Sequence, residues 1–382
     1  MNKGKFLLAV NFILVAALTS VAQPTSTKPN NLHAGAVYVM TNQPANAVMA
    51  FTRNPRTGAL NLVDTESTQG AGNPIAMPGD PPTDPLASQG SLIVDEDNQY
   101  IYAVNAASNE ISVLEVGKNS LEFVQKISSG GVRPISLTIY DEYLYVLNEG
   151  GTPNITGFAV ADDGTLTPLA GSTQPLIGGA MADPAEGSFN KTGTLLVVKE
   201  KMGNRIDTYE VGKDGVAGPP IANPSAGMTP FGFAFGADDY FYVSEAFGGM
   251  PMMGALSSYD AETSMLEVVT PSLHNNQTAS CWVAVNNDGT RIYVSNTGSG
   301  TISTYAANEE GELTLLNGAA ANTGGMASSP IDIALSNNGH FLYVLESGSH
   351  VVSAWRTNND GSLELIGEFG MLPAGAQGIA AK

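Results

Sequence analysis

The sequence predicts an all-β protein, a seven-bladed β-propeller of four-stranded antiparallel blades in one domain. A short phrase close to YVxN recurs seven times, beginning at residues 38, 102, 145, 197, 242, 293 and 343. A second, alternating phrase precedes the last six copies: QGSLIV, PISLTI, PAEGSF, PFGFAF, SCWVAV and PIDIAL. Apart from a longer first gap, the copies lie about 43 to 52 residues apart, a spacing typical of propeller blades.

Each repeat is predicted to form its strands in a fixed order. The alternating phrase is strand one, and turn sequences such as NNDG, NKTG and NNGH lead into strand two, the YVxN phrase. A Gly-rich turn then leads into strand three, as in GTISTYAA or NRIDTYEV. Each unit therefore predicts an antiparallel meander, and no convincing amphipathic helix interrupts the series.

The two ends of the chain predict how the ring closes. The first YVxN copy has no strand-one phrase before it, whereas the C-terminal QGIAAK, residues 377–382, matches QGSLIV and has no blade after it. We therefore expect the C-terminal segment to supply the inner strand of blade one, which leaves no open sheet edge.

The N-terminal residues predict export. Residues 1–22 combine two lysines, an apolar run and a small-residue cleavage site, as in a secretory signal peptide. Residues 23–33 form a polar segment and residues 34–382 the propeller. No second apolar span follows, so we expect no stable membrane span and a secreted, periplasmic or cell-surface location.

Charge and composition argue against several functions. The formal net charge of −20 makes a nucleic-acid partner unexpected, since phosphate backbones are bound by clustered Lys and Arg. The single cysteine, Cys281, excludes a disulfide framework. No zinc-like spacing occurs, and none of the four histidines begins a first strand. We expect no metal, no cofactor and a monomer, with a cation held by clustered carboxylates as the weaker alternative.

Two insertions depart from the repeat. Residues 68–88 are rich in Pro and Gly, and residues 247–258 carry three methionines. Each is interpreted either as a surface loop or as a lid or ligand wall at the channel mouth.

The meander brings two rings of residues to one face, because strand one begins where strand two ends. The third residues of the first strands are Ser91, Ser136, Glu186, Gly232, Trp282, Asp332 and Ile379. The last residues of the second-strand phrases are Thr41, Asn105, Asn148, Glu200, Glu245, Asn296 and Glu346. The prediction is that five carboxylates gather at this mouth, where crowding would raise their pKa values and suit acid-base chemistry. The alternative is that these polar groups meet water or bond to the backbone of a neighbouring blade.

The repeats, the DG turns, NRIDTY, ASCWVAV and the closing LPAGAQGIA resemble the lactonase-type seven-bladed propellers, which include 6-phosphogluconolactonase and carboxymuconate cyclase. The resemblance covers residues 34–382. It implies an Arg or His after the Pro that opens an inner strand, and a Glu at the end of the next strand. Ala185 and Phe231 stand where the Arg or His is expected, whereas Glu200 or Glu245 matches the Glu, and Arg205 matches the family's NR turn. A one-residue ambiguity in blade four could place Lys201 at the Glu position instead.

The resulting hypothesis is an exported enzyme that hydrolyses, or forms by cycloisomerisation, a small lactone at the channel mouth. Glu200 or Glu245 is predicted to be the general base, with Lys201 and Arg205 stabilising the oxyanion. The predicted substrate-binding residues are Glu186, Phe231, Trp282, Asn296, Asp332 and Glu346. The alternative is a non-enzymatic propeller that binds an envelope or extracellular protein or glycan.

Overall fold

A computed structural model describes residues 1, 31–76, 82–236 and 238–382. The predicted signal peptide, beyond Met1, and residues 23–30 of the polar segment lie outside these described residues. Within them there is no α-helix, only three short 3-10 helices at Leu32–Ala34, Gly179–Met181 and Phe247–Gly249. No helix in this part of the chain is long and apolar enough to cross a membrane.

The described strands form seven antiparallel sheets. Blade one contains β1 (Ala36–Met40), β2 (Ala47–Arg53) and β3 (Leu60–Ser67), and blade two contains β4 (Leu92–Val94), β5 (Tyr100–Asn105), β6 (Glu110–Val116) and β7 (Leu121–Ser128). Blade three contains β8 (Val132–Tyr140), β9 (Tyr143–Gly150), β10 (Asn154–Val160), β11 (Leu166–Pro168) and β12 (Gln174–Pro175). Blade four contains β13 (Pro184–Phe189), β14 (Leu195–Glu200), β15 (Arg205–Glu210) and β16 (Ile221–Pro224).

The last three blades follow the same plan. Blade five contains β17 (Pro230–Phe235), β18 (Tyr240–Glu245), β19 (Ala255–Asp260) and β20 (Glu267–His274). Blade six contains β21 (Ser280–Val285), β22 (Arg291–Asn296), β23 (Thr301–Ala307) and β24 (Leu313–Asn322). Blade seven contains β25 (Pro330–Leu335), β26 (Phe341–Glu346), β27 (Val351–Thr357) and β28 (Leu363–Phe369), and β29 (Ile379–Ala381) ends the chain.

The predicted fold class and ring closure are confirmed. Six sheets order their strands as consecutive meanders, and the seventh has the order β29-β1-β2-β3. Blade three differs in detail, because its outer edge is split between β11 and β12, both of which pair with β10. The closure is reinforced by the Arg53 Nε–H, which donates to the Lys382 carbonyl at 3.0 Å.

The tyrosine of the repeated phrase explains why the phrase recurs. Tyr102, Tyr145, Tyr242 and Tyr343 are buried on their strands, and each hydroxyl donates to the carbonyl of a turn glycine in the following blade. The Tyr343 bond, to Gly58 at 2.9 Å, joins blade seven to blade one. The ring thus buries an aromatic side chain at each of these four junctions and satisfies its hydroxyl there.

The turns with the sequence DG or EG also serve the junctions between blades. Gly164 has a φ of +75°, and a Cβ there would lie 2.4 Å from the ring of Tyr100. Gly311 is equivalent, with a φ of +74° and a Cβ that would lie 2.5 Å from Tyr240. Glycine is required at both positions because the turn is left-handed and the next ring is in contact.

One face of the ring carries the starts of the first strands and the ends of the second strands. The register pairs Pro184 with Glu200 and Ser280 with Asn296, as predicted. We call this the upper face. The hairpins between strands one and two lie on the opposite, lower face.

Candidate functional site

Residues 84–89 comprise the end of the first insertion and the first residue of the QGSLIV phrase; they cross the central channel and are called here the axial segment. Gln89 donates its backbone N–H to the Ala185 carbonyl at 3.1 Å. Its side chain accepts from the Val283 N–H at 2.9 Å and donates to the carbonyls of Val283 and Phe233 at 3.0 and 3.2 Å. One glutamine therefore joins the inner strands of blades four, five and six.

Ser88 and Asp84 attach the axial segment to other parts of the ring. The Ser88 hydroxyl donates to the Ile135 carbonyl at 2.9 Å, and the Ser88 carbonyl accepts from Trp282 Nε1 at 3.0 Å and Gln377 Nε2 at 3.1 Å. Gln377 also donates to Asp84 at 2.6 Å. The first insertion therefore forms part of a cavity wall, as one of the two interpretations predicted, but it does so by entering the channel, where it separates an upper cavity of about 420 Å³ from a lower one of about 360 Å³.

The upper cavity, called here the mouth pocket, has three kinds of lining side chain. The apolar ones are Phe231, Ala246, Ala279, Cys281 and Met326. The charged ones are Lys201 and Asp183 from blade four and Asp84 from the axial segment, and Lys201 Nζ lies 5.3 Å from the centre of the Phe231 ring. The hydroxyl-bearing ones are Thr83, Thr229, Thr297 and Ser329. Gly248 and Gly249 of the second insertion also line the pocket, so this insertion contributes to the wall as well.

A recurring turn position faces this pocket. The residue directly before the first-strand phrase has a positive φ in five blades, at Arg133, Asp183, Thr229, Ala279 and Ser329. The last four of these residues line the mouth pocket. Such left-handed conformations in non-glycine residues are uncommon and often occur at functional sites. The sequence could have pointed to these pocket residues, because each one stands directly before a first-strand phrase. The prediction instead considered the third residue of each phrase.

Two ion pairs lie next to the axial segment. Lys201 Nζ is 3.1 Å from Asp183 Oδ1 and donates to the Ala87 carbonyl at 2.9 Å. Arg133 pairs with Glu149 and donates to the Pro85 carbonyl at 2.7 Å. Burial raises the pKa of Glu149, and the charges of Arg133 and Lys201 partly offset this effect. Asp183, Asp84 and the Arg133–Glu149 pair were not predicted from the sequence.

The predicted gathering of five carboxylates at one open mouth is wrong, because the structure divides them and buries each one. Glu200 is fully buried, accepts from the Gly178 N–H at 2.8 Å and lies 3.4 Å from Arg205. Asp207 lies beside it, and burial together with Glu200 raises the pKa of Asp207 to about 8. Glu200 and Arg205 thus hold the connection from blade three to blade four, and neither lines the mouth pocket.

Glu245 and Asn296 occupy the same position in blades five and six. Glu245 is fully buried and accepts from the hydroxyls of Ser257 and Ser272, and burial raises its pKa. Asn296 accepts from the Ser280 hydroxyl at 2.7 Å. These partners are serine hydroxyls of the same blade, which neither the predicted mouth cluster nor its alternative, bonding to water or to the backbone of a neighbouring blade, anticipated.

Glu186 and Asp332 line the lower cavity, below the axial segment. Glu186 accepts from the Phe233 N–H at 2.6 Å and lies 3.6 Å from Lys199 Nζ, and Asp332 accepts from the Ile379 N–H at 3.2 Å. Burial raises the pKa of Glu186 to about 7 and that of Asp332 well above its ordinary value. Neither carboxylate shares a cavity with Lys201.

Of the predicted site residues, Lys201 and Phe231 line the mouth pocket. The Trp282 ring lies behind Phe231, with the ring centroids 4.8 Å apart. Cys281 also lines the pocket, and burial raises the pKa of its thiol far above the ordinary value. No group of three or more His, Cys, Asp or Glu side chains suited to a metal ion occurs within the described ranges.

Glu346 allows a test of how buried strand-end carboxylates affect stability. Burial raises its pKa to about 7, against an ordinary value of 4.5. Because the pKa of Glu346 is higher in the folded than in the unfolded protein, the folded state binds the proton more tightly. The contribution of Glu346 to the free energy of unfolding is therefore complete below about pH 4.5 and is lost as the pH rises through about 7. We expect Glu346→Gln to raise the free energy of unfolding at pH 8 by on the order of 2 kcal/mol, with little change at pH 5.

Denaturant unfolding at the two pH values measures this effect. Glu309→Gln, in an exposed turn, is the matched control and should leave both values unchanged. A Glu346→Gln variant that is less stable than the wild type at pH 8 would contradict the assignment.

The chain is similar to known proteins in both sequence and structure. The family model "Lactonase, 7-bladed beta-propeller" matches residues 40–182 and 187–377. A candidate 6-phosphogluconolactonase from Bacteroides fragilis is similar in structure, with a TM-score of 0.70, 17% identity, and coverage of 94% of this chain and 99% of that chain. The periplasmic gluconolactonase PpgL of Pseudomonas aeruginosa gives a TM-score of 0.67 and 14% identity, and covers 91% and 98% of the two chains.

Identities this low show a shared fold alone. No curated protein sequence matches the chain. The family model, in contrast, spans nearly all of the ring, from the end of β1 to the residues before β29. The chain therefore belongs to the lactonase family of seven-bladed β-propellers.

Proposed function

We propose that this protein hydrolyses a small lactone in the mouth pocket. The observation that carries the proposal is the Asp183–Lys201 pair, 3.1 Å apart, at the edge of a pocket of about 420 Å³ in a lactonase-family propeller. A cavity of this size is typical of small-molecule sites. Carboxylate and ammonium groups supply the two functions that ester hydrolysis needs, a base for water and a cation for the oxyanion.

In the proposed mechanism, the Asp183 carboxylate takes a proton from water as the water oxygen bonds to the acyl carbon. The Lys201 ammonium stabilises the negative charge that develops on the carbonyl oxygen. The bond between the acyl carbon and the ring oxygen then breaks, and protonated Asp183 returns its proton to the ring oxygen. One lactone and one water thus give one hydroxy acid. About one third of the Asp183 side chain is exposed, and Lys201 is almost fully buried, so solvent can reach the base more readily than the cation.

Substitution of the pair tests this proposal. We expect Asp183→Asn and Lys201→Met each to lower kcat/KM on a panel of lactones about 100-fold or more, because each removes one acid-base or oxyanion group. Thermal unfolding should change little in Asp183→Asn. Lys201→Met also loses the bond to the Ala87 carbonyl, so its stability must be measured alongside its activity.

Glu200→Gln and Glu245→Gln complete the test, since the sequence assigned the base to these residues. If either of these variants loses activity while Asp183→Asn keeps it, the strand-end glutamate is the base and the assignment to Asp183 is wrong. If no lactone is hydrolysed by the wild type, the enzymatic proposal fails and a binding function for the upper face is favoured.

We also propose that the protein is exported, as residues 1–22 predict. Cell fractionation of the full chain, with residues 1–22 deleted in a control, tests this proposal. Retention of the full chain in the cytoplasm would contradict it.

A further inference from the structure

We propose that the mouth pocket takes an uncharged lactone that carries an alkyl or aryl substituent, rather than a polyhydroxylated or phosphorylated lactone. This inference rests on the proposed lactone hydrolysis at the same site, and it adds the chemical class of the substrate. Three features of the pocket and its surroundings support it.

The first feature is the apolar wall. Phe231 and Cys281 are the second residues of their inner strands, and Ala279 is the residue before β21, so the fold aims all three at the pocket. Phe231 is 5% exposed and packs on Trp282, which is itself fixed by its bond to the Ser88 carbonyl. A sugar hydroxyl placed against Phe231, Cys281 and Ala279 would lose its hydrogen bonds to water, and these three side chains offer no oxygen or nitrogen to replace them. The hydroxyls that line the pocket belong to other residues, Thr83, Thr229, Thr297 and Ser329. A methylene or aromatic group would instead be removed from water, which is favourable.

The second feature is the charge of the pocket lining. Lys201 is the one cationic side chain among the described residues that line the pocket, and it already contacts Asp183 and the Ala87 carbonyl. Arg133 does not line the pocket, and it is paired with Glu149 and bonded to the Pro85 carbonyl. A phosphate or carboxylate on the substrate would therefore have to compete with Asp183 for Lys201.

The third feature is the rim of the upper face. Exposed methionines lie in the segments that lead into the first strands or out of the second strands, at Met181, Met202, Met228, Met250, Met326 and Met371. Met326 also lines the pocket and is 75% exposed. Methionine is unbranched and flexible, so these side chains can adapt to apolar groups of different shapes.

A series of substrates tests the inference. We expect kcat/KM to rise about threefold for each methylene from γ-valerolactone to γ-nonalactone, as burial of alkyl surface in the pocket requires. Glucono-δ-lactone and its 6-phosphate should each be hydrolysed at least tenfold less efficiently than γ-nonalactone. Met326→Lys, which places a charge among the apolar side chains of the pocket, should flatten the chain-length series. Met265→Lys is the matched control, because Met265 is similarly exposed but lies in the hairpin between β19 and β20, away from the mouth.

The possible results distinguish a failure of this inference from a failure of the proposed lactone hydrolysis. Hydrolysis of glucono-δ-lactone in preference to the alkyl lactones, lost in Asp183→Asn, would overturn the inference and leave the proposed function intact. A flat chain-length series in the wild type would also overturn the inference. Absence of hydrolysis with every lactone would overturn the proposed function, and the inference with it.

Discussion

Replacing Glu186 with glutamine is expected to lower the free energy of unfolding by about 1–3 kcal/mol, because the buried Lys199 amine would lose the carboxyl group beside it. Lys199 is fully buried, its Nζ lies 3.6 Å from Glu186 Oε2, and it packs over the ring of Phe233. No hydrogen-bond partner for Lys199 Nζ occurs among the described residues. Burial lowers the pKa of Lys199 well below its ordinary value, and Glu186 offsets this effect only in part.

The matched variant is Lys199→Met combined with Glu186→Gln. Removing both groups leaves an apolar side chain of similar length against Phe233, and replacement of a buried pair in this way is often neutral or stabilising. We therefore expect the double variant to recover most of the stability lost in Glu186→Gln, as measured by denaturant unfolding of the wild type, both single variants and the double variant. A double variant whose loss of stability equals the sum of the losses in the two single variants would show that the two groups act independently.

Trp282→Ala is the second substitution for which a large effect is expected, with a loss of about 3–5 kcal/mol in the free energy of unfolding. The side chain is completely buried, packs on Phe231 and donates to the Ser88 carbonyl. Alanine would leave a cavity beneath the mouth pocket and remove one of the bonds that hold the axial segment. Amide hydrogen exchange should therefore increase in residues 84–89 as well as in β21.

Trp282→Phe separates the two contributions. It keeps most of the ring volume and loses the Nε1 donor, so its cost should be smaller, about 1–2 kcal/mol. If Trp282→Ala destabilises the protein without increasing exchange in residues 84–89, the remaining bonds of Gln89 and Gln377 are sufficient to hold the axial segment.

The sequence was sufficient to predict the fold because the repeat specifies each blade locally. The YVxN phrase combines a buried tyrosine with strand-forming neighbours, and its spacing counts the blades directly. The unpaired first copy and the unmatched QGIAAK segment predicted the pairing of β29 with β1, which the structure confirms. The split outer edge of blade three was not predicted, because LTP and QP are too short to show periodicity.

The site was predicted less completely, for two physical reasons. The prediction placed Glu200 and Glu245 on the correct face. It did not identify the groups that surround them, because the sequence of one strand does not show which other segments of the chain contact it. The path of residues 84–89 depends on hydrogen bonds to several different blades, and no local pattern specifies such a path. Asp183 lies in a turn. The direction of its side chain is set by the left-handed backbone conformation, with a φ of +46°, and not by the alternation of side chains along a strand.

The pairing of β29 with β1 also determines when the ring can be completed. During synthesis β1 leaves the ribosome early, but its inner edge has no partner until residues 379–381 emerge. Contacts between residues so distant in sequence, such as the Arg53–Lys382 bond across 329 residues, are slow to form. Until then, the exposed edge of blade one can pair with another chain. The closure of blade one is thus the folding step at which a chaperone would have the greatest influence on the yield of native protein.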